Sequence, residues 1–267
     1  MTSFLINPYR FASAAYDTDA QAYITAVEAA DGQALETGVK DAINAFVVGC
    51  KADGIWTAIK ACCILAGART LAGALQPLVG TAPTNVNSAF VSGDYNRKTG
   101  LVGNASTKCL NSNRALNADP LNSYHLSVYV STAATSGVGL IGNDDVSSNT
   151  GEAAIYRSSP SLSGRFRSST AFGATAASTS TGFIGCNRAT STSITFRAAA
   201  STEAITYSSA GTASATANVA VFSRDLVNSS SRINARLAFY SIGESLNLSL
   251  LDSRVSTLLA AYAAAIP

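Results

Sequence analysis

His125-Leu126-Ser127-Val128-Tyr129-Val130-Ser131 alternates polar and apolar residues along its length. On a β-strand successive side chains point to opposite faces, so this stretch puts Leu126, Val128 and Val130 on one face, with His125 at the start on the outer face. The scheme recurs at Ile194-Thr195-Phe196-Arg197, Ile205-Thr206-Tyr207, Asn218-Val219-Ala220-Val221 and Arg236-Leu237-Ala238-Phe239. Turn-forming clusters separate these runs, at Gly142-Asn143-Asp144-Asp145, Ser158-Ser159-Pro160 and Ser209-Ala210-Gly211. Many short strands at such spacing predict an antiparallel sandwich or jelly roll.

Within residues 168–218, 34 of 51 are Ser, Thr or Ala. The alternations Ile194/Phe196 and Ile205/Tyr207 inside that stretch predict folded strands with small polar outer faces, not a linker. Small outer residues suit a sheet covered by neighbouring protein.

Upstream of Gly80-Thr81-Ala82-Pro83-Thr84-Asn85 the pattern is helical. Thr18-Asp19-Ala20-Gln21 fits a capping box with Thr18 at the N-cap. The helix it opens stops at Asp31-Gly32. Val39, Ile43, Phe46, Val47 and Cys50 define the apolar face of a second helix ended by Asp53-Gly54. A third, short helix is expected from Ile55, with Trp56, Ile59 and Cys63 on one side, and a weak fourth at Leu71–Leu75. Trp56 reads as a core anchor. The tail is helical again, capped by Ser249 or Asp252 and bearing Leu250, Leu251, Val255, Leu258, Leu259 and Tyr262. These shifts of period predict two units. Residues 1–82 form a helical assembly or attachment unit, and residues 83–267 a β jelly roll closed by a helix over Leu246–Ala265.

Composition narrows the chemistry. Of 267 residues only 13% are charged, and the net charge is +2. This gives no electrostatic case for nucleic acid as a partner. No apolar stretch approaches the about 20 residues of a membrane span. The N-terminus lacks a basic segment followed by an apolar one, which reads as no signal peptide and predicts synthesis in a cytosol. Cys50, Cys62, Cys63, Cys109 and Cys186 are odd in number and scattered, and read as buried free thiols. No cofactor and no metal site are expected.

Three stretches of the second half resemble the concanavalin A-like or laminin-G-like jelly roll. Thr99-Gly100-Leu101-Val102-Gly103, running into Ser106-Thr107-Lys108-Cys109-Leu110, resembles an opening "G-x-G-S-x-x-Y-L" strand pair. It departs from that pattern at Cys109, where an aromatic is common, and at Asn104-Ala105 in place of Asp-Gly. Tyr124 to Val130 is like "F-T-L-S-x-W-V". Ala238-Phe239-Tyr240-Ser241-Ile242-Gly243-Glu244-Ser245-Leu246 is like the closing "x-x-Y-S-x-x-x-L" strand. The whole chain also resembles a group of tailed-bacteriophage virion proteins, in which a helical segment like Ala20–Val79, including Lys51-Ala52-Asp53-Gly54-Ile55-Trp56-Thr57, precedes such a jelly roll.

That resemblance implies a structural or host-adhesion protein located in the virion and assembled in the host cytoplasm. Its implied partners are other virion proteins and a host surface polysaccharide. The version favoured is a tail, fibre or appendage component; the alternative is a head decoration protein that cements the capsid. Homo-oligomerisation, as a trimer, is expected. A glycan hydrolase of the same fold is the third reading. Retention-type hydrolysis needs two carboxyls about 5–5.5 Å apart. Glu152, Glu203 and Glu244 have no acid two or four residues away, so a non-enzymatic protein is expected.

The contact surface is expected on the turn-rich loops Gly142–Thr150 and Ser158–Gly164. Asn143, Asp144 and Asp145 offer oxygen ligands there, though an Asx-type turn is the favoured reading over calcium. Arg165 and Arg167 flank Phe166, which on a strand puts two cations on one face, able to grip an acidic partner or glycan. His125 reads as an exposed or interface polar residue.

Overall fold

The computed structural model describes residues 15–143, 152–168, 170–206 and 216–267. Sixteen strands form two antiparallel sheets among these residues. They are β1 (Ile59–Ile64), β2 (Pro77–Val79), β3 (Thr84–Asn85), β4 (Tyr95–Asn96), β5 (Gly100–Val102), β6 (Leu110–Ala115), β7 (Tyr124–Thr132) and β8 (Gly139–Asn143). The rest are β9 (Ala153–Ser158), β10 (Ser161–Phe166), β11 (Phe172–Ala177), β12 (Gly182–Arg188), β13 (Ser193–Ala198), β14 (Ser201–Thr206), β15 (Asn218–Val221) and β16 (Arg236–Gly243). The larger sheet runs β14-β13-β12-β7-β16-β1-β2, with β5 also on β16 and β4 on β5; the smaller runs β11-β10-β9-β8-β15-β6-β3. This is the expected jelly-roll sandwich.

β7 lies at the middle of the larger sheet. Leu126, Val128 and Val130 point between the sheets and join Leu110, Ile141, Ile155, Phe166, Phe196, Val221 and Tyr240 in one apolar core. The opposite face of the same sheet carries a second core, shared with three helices: α1 (Thr18–Asp31), α2 (Thr37–Ala52) and α4 (Leu248–Ala265); a one-turn α3 (Leu71–Ala74) lies beside them. The molecule therefore has three layers: small sheet, large sheet, helices.

The register explains where α4 sits. Across β12, β7 and β16 the outward residues fall in rows: Phe183–Tyr129–Phe239, then Gly185–Ser127–Ser241, then Asn187–His125–Gly243. The middle row has almost no side-chain volume. A Cβ added at Gly185 would come within 3.0 Å of Leu248 Cδ2, so this row is a shallow seat for the start of α4. Asn187 Oδ1 accepts from Leu246 N at 2.9 Å and locks the approach. The polar half of the alternation thus faces a helix, not water.

Local chemistry sets the helix ends. The Asp17 side chain, not Thr18, caps α1 by accepting from Asp19 N, and Gly32 closes it with φ 66°. Asn247, not Ser249 or Asp252, caps α4, accepting from Ser249 N and Leu250 N. The buried face of α2 is the expected one: Val39, Ile43, Phe46, Val47 and Cys50.

The third helix does not form. Trp56–Ala58 is a single 3₁₀ turn that leaves Trp56 half-buried, and Ile59–Ile64 is the strand β1. Ala61 and Cys63 face the inter-sheet core while Cys62 and Ile64 face the helices. A short apolar run buried on both faces has no polar side to betray its period, which is why it reads as either element. β1 pairs with β16 and β2, so the larger sheet runs across the expected boundary at residue 82.

Candidate functional site

Of the residues expected to form a contact surface, Asn143, Arg165 and Arg167 are described, and Asn143 and Arg167 are buried. Asn143 ends β8, is buried, and its Nδ2 donates to Asn218 O at 2.9 Å across to β15. Asp144 and Asp145, with the rest of that loop to residue 151, lie outside the described residues. Ser158–Gly164 is not a free loop but a hairpin: β9 and β10 meet at the Ser159-Pro160 turn, with Ser161 opposite Ser158.

Arg165 and Arg167 part company. Arg165 stays on β10, half-buried, and its Nη1 donates to Glu152 Oε2 at 2.7 Å. The strand ends at Phe166, and Arg167 takes φ 53°, which breaks the alternation and turns its side chain inward. It is 1% exposed. Its guanidinium donates to Asp119 O at 2.9 Å, Pro120 O at 2.6 Å and Leu116 O, and lies 4.0 Å from the Tyr124 ring centre. Burial lowers its pKa. Arg188 lies beside it, donating to Phe166 O at 2.7 Å and Arg167 O at 3.3 Å. Backbone carbonyls, not a surface ligand, take up Nη donors of both guanidiniums. Arg167 is an internal clamp at one end of the sandwich and offers nothing to a ligand outside.

His125 is on the outer face, as alternation requires, but wholly buried there. Its Nδ1 is 2.6 Å from Glu244 O and its Nε2 2.7 Å from Ser241 Oγ. A carbonyl only accepts, so Nδ1 carries the proton and Nε2 accepts from the serine hydroxyl. The pair has the spacing of a nucleophile and its base. Both residues are sealed from solvent, and their hydrogen bonds tie β7 to β16 and to the turn leading into α4.

A different place has the shape of a site. A cleft of about 300 Å³ opens on the outer face of the larger sheet, where the helical cover stops. This is the lower end of the size range of small-molecule sites, roughly 300–1,000 Å³. Its floor is Tyr129 and Ser131 of β7; Ser256, Leu259 and Ala260 of α4 form one wall. Lys98, on the β4–β5 turn, and Thr181-Gly182, at the start of β12, form the others. In the aromatic row Phe183 and Phe239 are buried, while Tyr129 is only half-buried. A side chain added at Gly182 would meet nothing within 4 Å, so the mouth is open on that side.

The turn bearing Lys98 is moored on both flanks. Arg97 donates to Glu36 Oε1 at 3.1 Å and Oε2 at 2.7 Å, and to Ala68 O at 3.0 Å. This guanidinium holds the Glu36 carboxyl below the usual carboxylate range. Ser131 Oγ donates to Thr99 O at 2.5 Å, and Asn96 Oδ1 accepts from Lys98 N and Thr99 N. An aromatic ring, hydroxyls and one ammonium are therefore held on rigid backbone around one space. The sequence signal available for this site was the single outward aromatic in the alternating 125–131 strand. Lys98 and Ser256 join it only through the fold.

No protein-family model matches the chain, and no curated protein matches it. Solved structures overlap it in part. Domain 4 of the GH43 arabinanase AbnA from Geobacillus stearothermophilus is 11% identical, over 57% of this chain and 74% of that one, with a TM-score of 0.42. The CBM40 domain of Ruminococcus gnavus IT-sialidase is 9% identical, over 50% and 82%, with a TM-score of 0.38. Trypanosoma rangeli sialidase is 9% identical, over 76% of this chain and 33% of that one, with a TM-score of 0.49. Overlaps at this level carry no weight for function.

Proposed function

We propose that this chain is a non-enzymatic structural and binding protein of a tailed-bacteriophage virion, an appendage component that holds a surface glycan in the cleft between Tyr129, Lys98 and α4. The observation that carries the binding half is the cleft's lining: an aromatic face beside hydroxyls and a cation, with no carboxylate among the described lining residues. Sugars present an apolar C–H face to aromatic rings and hydroxyls to polar neighbours. The virion half rests on the resemblance of the 99–110, 124–130 and 238–246 stretches and of the helical lead-in. Five buried free thiols fit assembly in a reducing cytoplasm. The same reading has the chain in repeated copies, as a trimer.

Antibody labelling of intact particles in the electron microscope tests the location. Label on tail or fibres is expected; label confined to the head replaces the appendage reading with the decoration one. Co-sedimentation with polysaccharide from the host envelope tests the contact. Binding that Tyr129→Ala leaves unchanged would move the contact off this cleft.

A further inference from the structure

We infer that the cleft is a subsite for a sugar bearing a carboxylate, stacked on Tyr129 with its carboxylate on Lys98; this rests on the glycan-binding reading above. The chain has five lysines. Lys40 lies within 4 Å of Glu28, Lys51 of Asp17 and Asp19, Lys60 of Glu244, and Lys108 of Asp94. Lys98 has no carboxylate within reach among the described residues, although the neighbouring Arg97 is paired bidentately with Glu36. In a charge-poor protein whose other lysines are all matched, this exposed lysine lines the cleft beside Tyr129.

The second observation is the tyrosine. Its strand neighbours Phe183 and Phe239 lie under the helices, and α4 leaves the Tyr129 ring half open. The Tyr129 hydroxyl has no hydrogen-bond partner among the described residues. Ser131 links the two elements: it is two residues from Tyr129 on β7 and bonds the carbonyl of Thr99, next to Lys98. The backbone segments that carry the ring and the lysine are thus tied to each other before any ligand arrives, which lowers the ordering cost of binding. A ring stacked on Tyr129 puts a substituent carboxylate towards the ammonium, where a charge-assisted hydrogen bond favours it over an uncharged hydroxymethyl. Thr181 remains for ring hydroxyls, and Ser256, whose Oγ donates to Asp252 Oδ1 at 3.0 Å, has acceptor capacity left for one.

Methyl β-glucuronide and methyl β-glucoside, which differ in the carboxylate alone, test the assignment. Both are titrated into the full chain and followed by NMR. The glucuronide is expected to bind about tenfold more tightly than the glucoside. Lys98→Gln, an exposed substitution that leaves the core untouched, should erase that preference by bringing the glucuronide's affinity down to the glucoside's. Tyr129→Ala, checked for folding by circular dichroism, should weaken both sugars about tenfold. Equal affinity for the two sugars, or a preference that survives in Lys98→Gln, overturns the acidic-sugar assignment and leaves the glycan reading standing. No perturbation of cleft resonances by either sugar overturns both.

Discussion

His125 is the chain's single histidine, and burial pushes its pKa down to about 4; the Glu244 carbonyl opposes that shift only in part. Its pKa in the unfolded chain is near the ordinary 6.5, so between about 6.5 and 4 the unfolded state takes up a proton that the native state refuses. Stability is then whole above pH 6.5 and falls with falling pH, by on the order of 3 kcal/mol once pH 4 is reached. Urea titrations at pH 7 and 4.5 should show the lower midpoint at 4.5, and His125→Gln should flatten the difference. A wild-type midpoint that does not move would contradict the buried neutral ring. Arg167 makes the companion case. Arg167→Met strips the donors from three carbonyls, those of Leu116 and Asp119 buried, and should cost about 3–5 kcal/mol. Lysine should not rescue it, because one ammonium lacks the fork that spans them. A loss below about 1 kcal/mol would mean that those carbonyls find water. Neither role was legible in the sequence. Arg165-Phe166-Arg167 reads as a strand continuing, and nothing in those three letters announces a residue at φ 53°. The outer-face placement of His125 was legible; that a helix lies on that face was not.

At the scale of the element, alternation located β7, β13, β14, β15 and β16, each of which sends side chains into the inter-sheet core; on β16 a register shift between Leu237 and Phe239 puts Phe239 on the helix side, opposite Leu237. Alternation failed for β1, where Ala61-Cys62-Cys63-Ile64 is apolar on both faces. The glycines of the 99–103 stretch show a constraint that composition hides. Gly100 has φ 93°, and a Cβ there would lie 2.1 Å from Leu237 O on β16. Gly100→Ala should therefore lose more than about 2 kcal/mol, by strain and by a forced separation of β5 from β16. An alanine tolerated within about 0.5 kcal/mol in thermal melts would show that β5 is free to shift. The cap of α4 separates two readings of its N-terminus. Asn247→Ala should cost about 1 kcal/mol, whereas Ser249→Ala should change little, since Asn247 supplies the oxygen that both first-turn amides use.

At the scale of the whole molecule, the jelly roll was legible because its strands announce one buried face each, and the three-layer arrangement was not. The row Gly185–Ser127–Ser241 looks like the solvent side of a sheet until Leu248 is seen resting on it. In this row the cover is the chain's own helix, whereas the small outer residues of 168–218 were expected to be covered by neighbouring protein. At the far edge β14 pairs, among the described residues, with β13 alone. Edge strands are ordinarily guarded by Lys, Pro or a bulge. β14 reads Ser201-Thr202-Glu203-Ala204-Ile205-Thr206, and its one charge is turned to the sandwich, where Glu203 accepts from Thr175 N of β11 at 3.0 Å. Ser201, Thr202, Ala204 and Thr206 are exposed. An edge whose outward residues carry no charge, Pro or bulge is a template for a second copy, and closed symmetry is the usual result of such pairing. Light scattering on the purified chain at about 50 μM, a concentration that populates contacts of micromolar affinity, should give three chain masses. Ala204→Lys adds a charge to the exposed edge without touching the core, and should return the chain to one mass with its melting temperature unchanged. A wild-type monomer at that concentration would refute self-assembly in isolation, and a trimer indifferent to Ala204→Lys would place the interface away from β14.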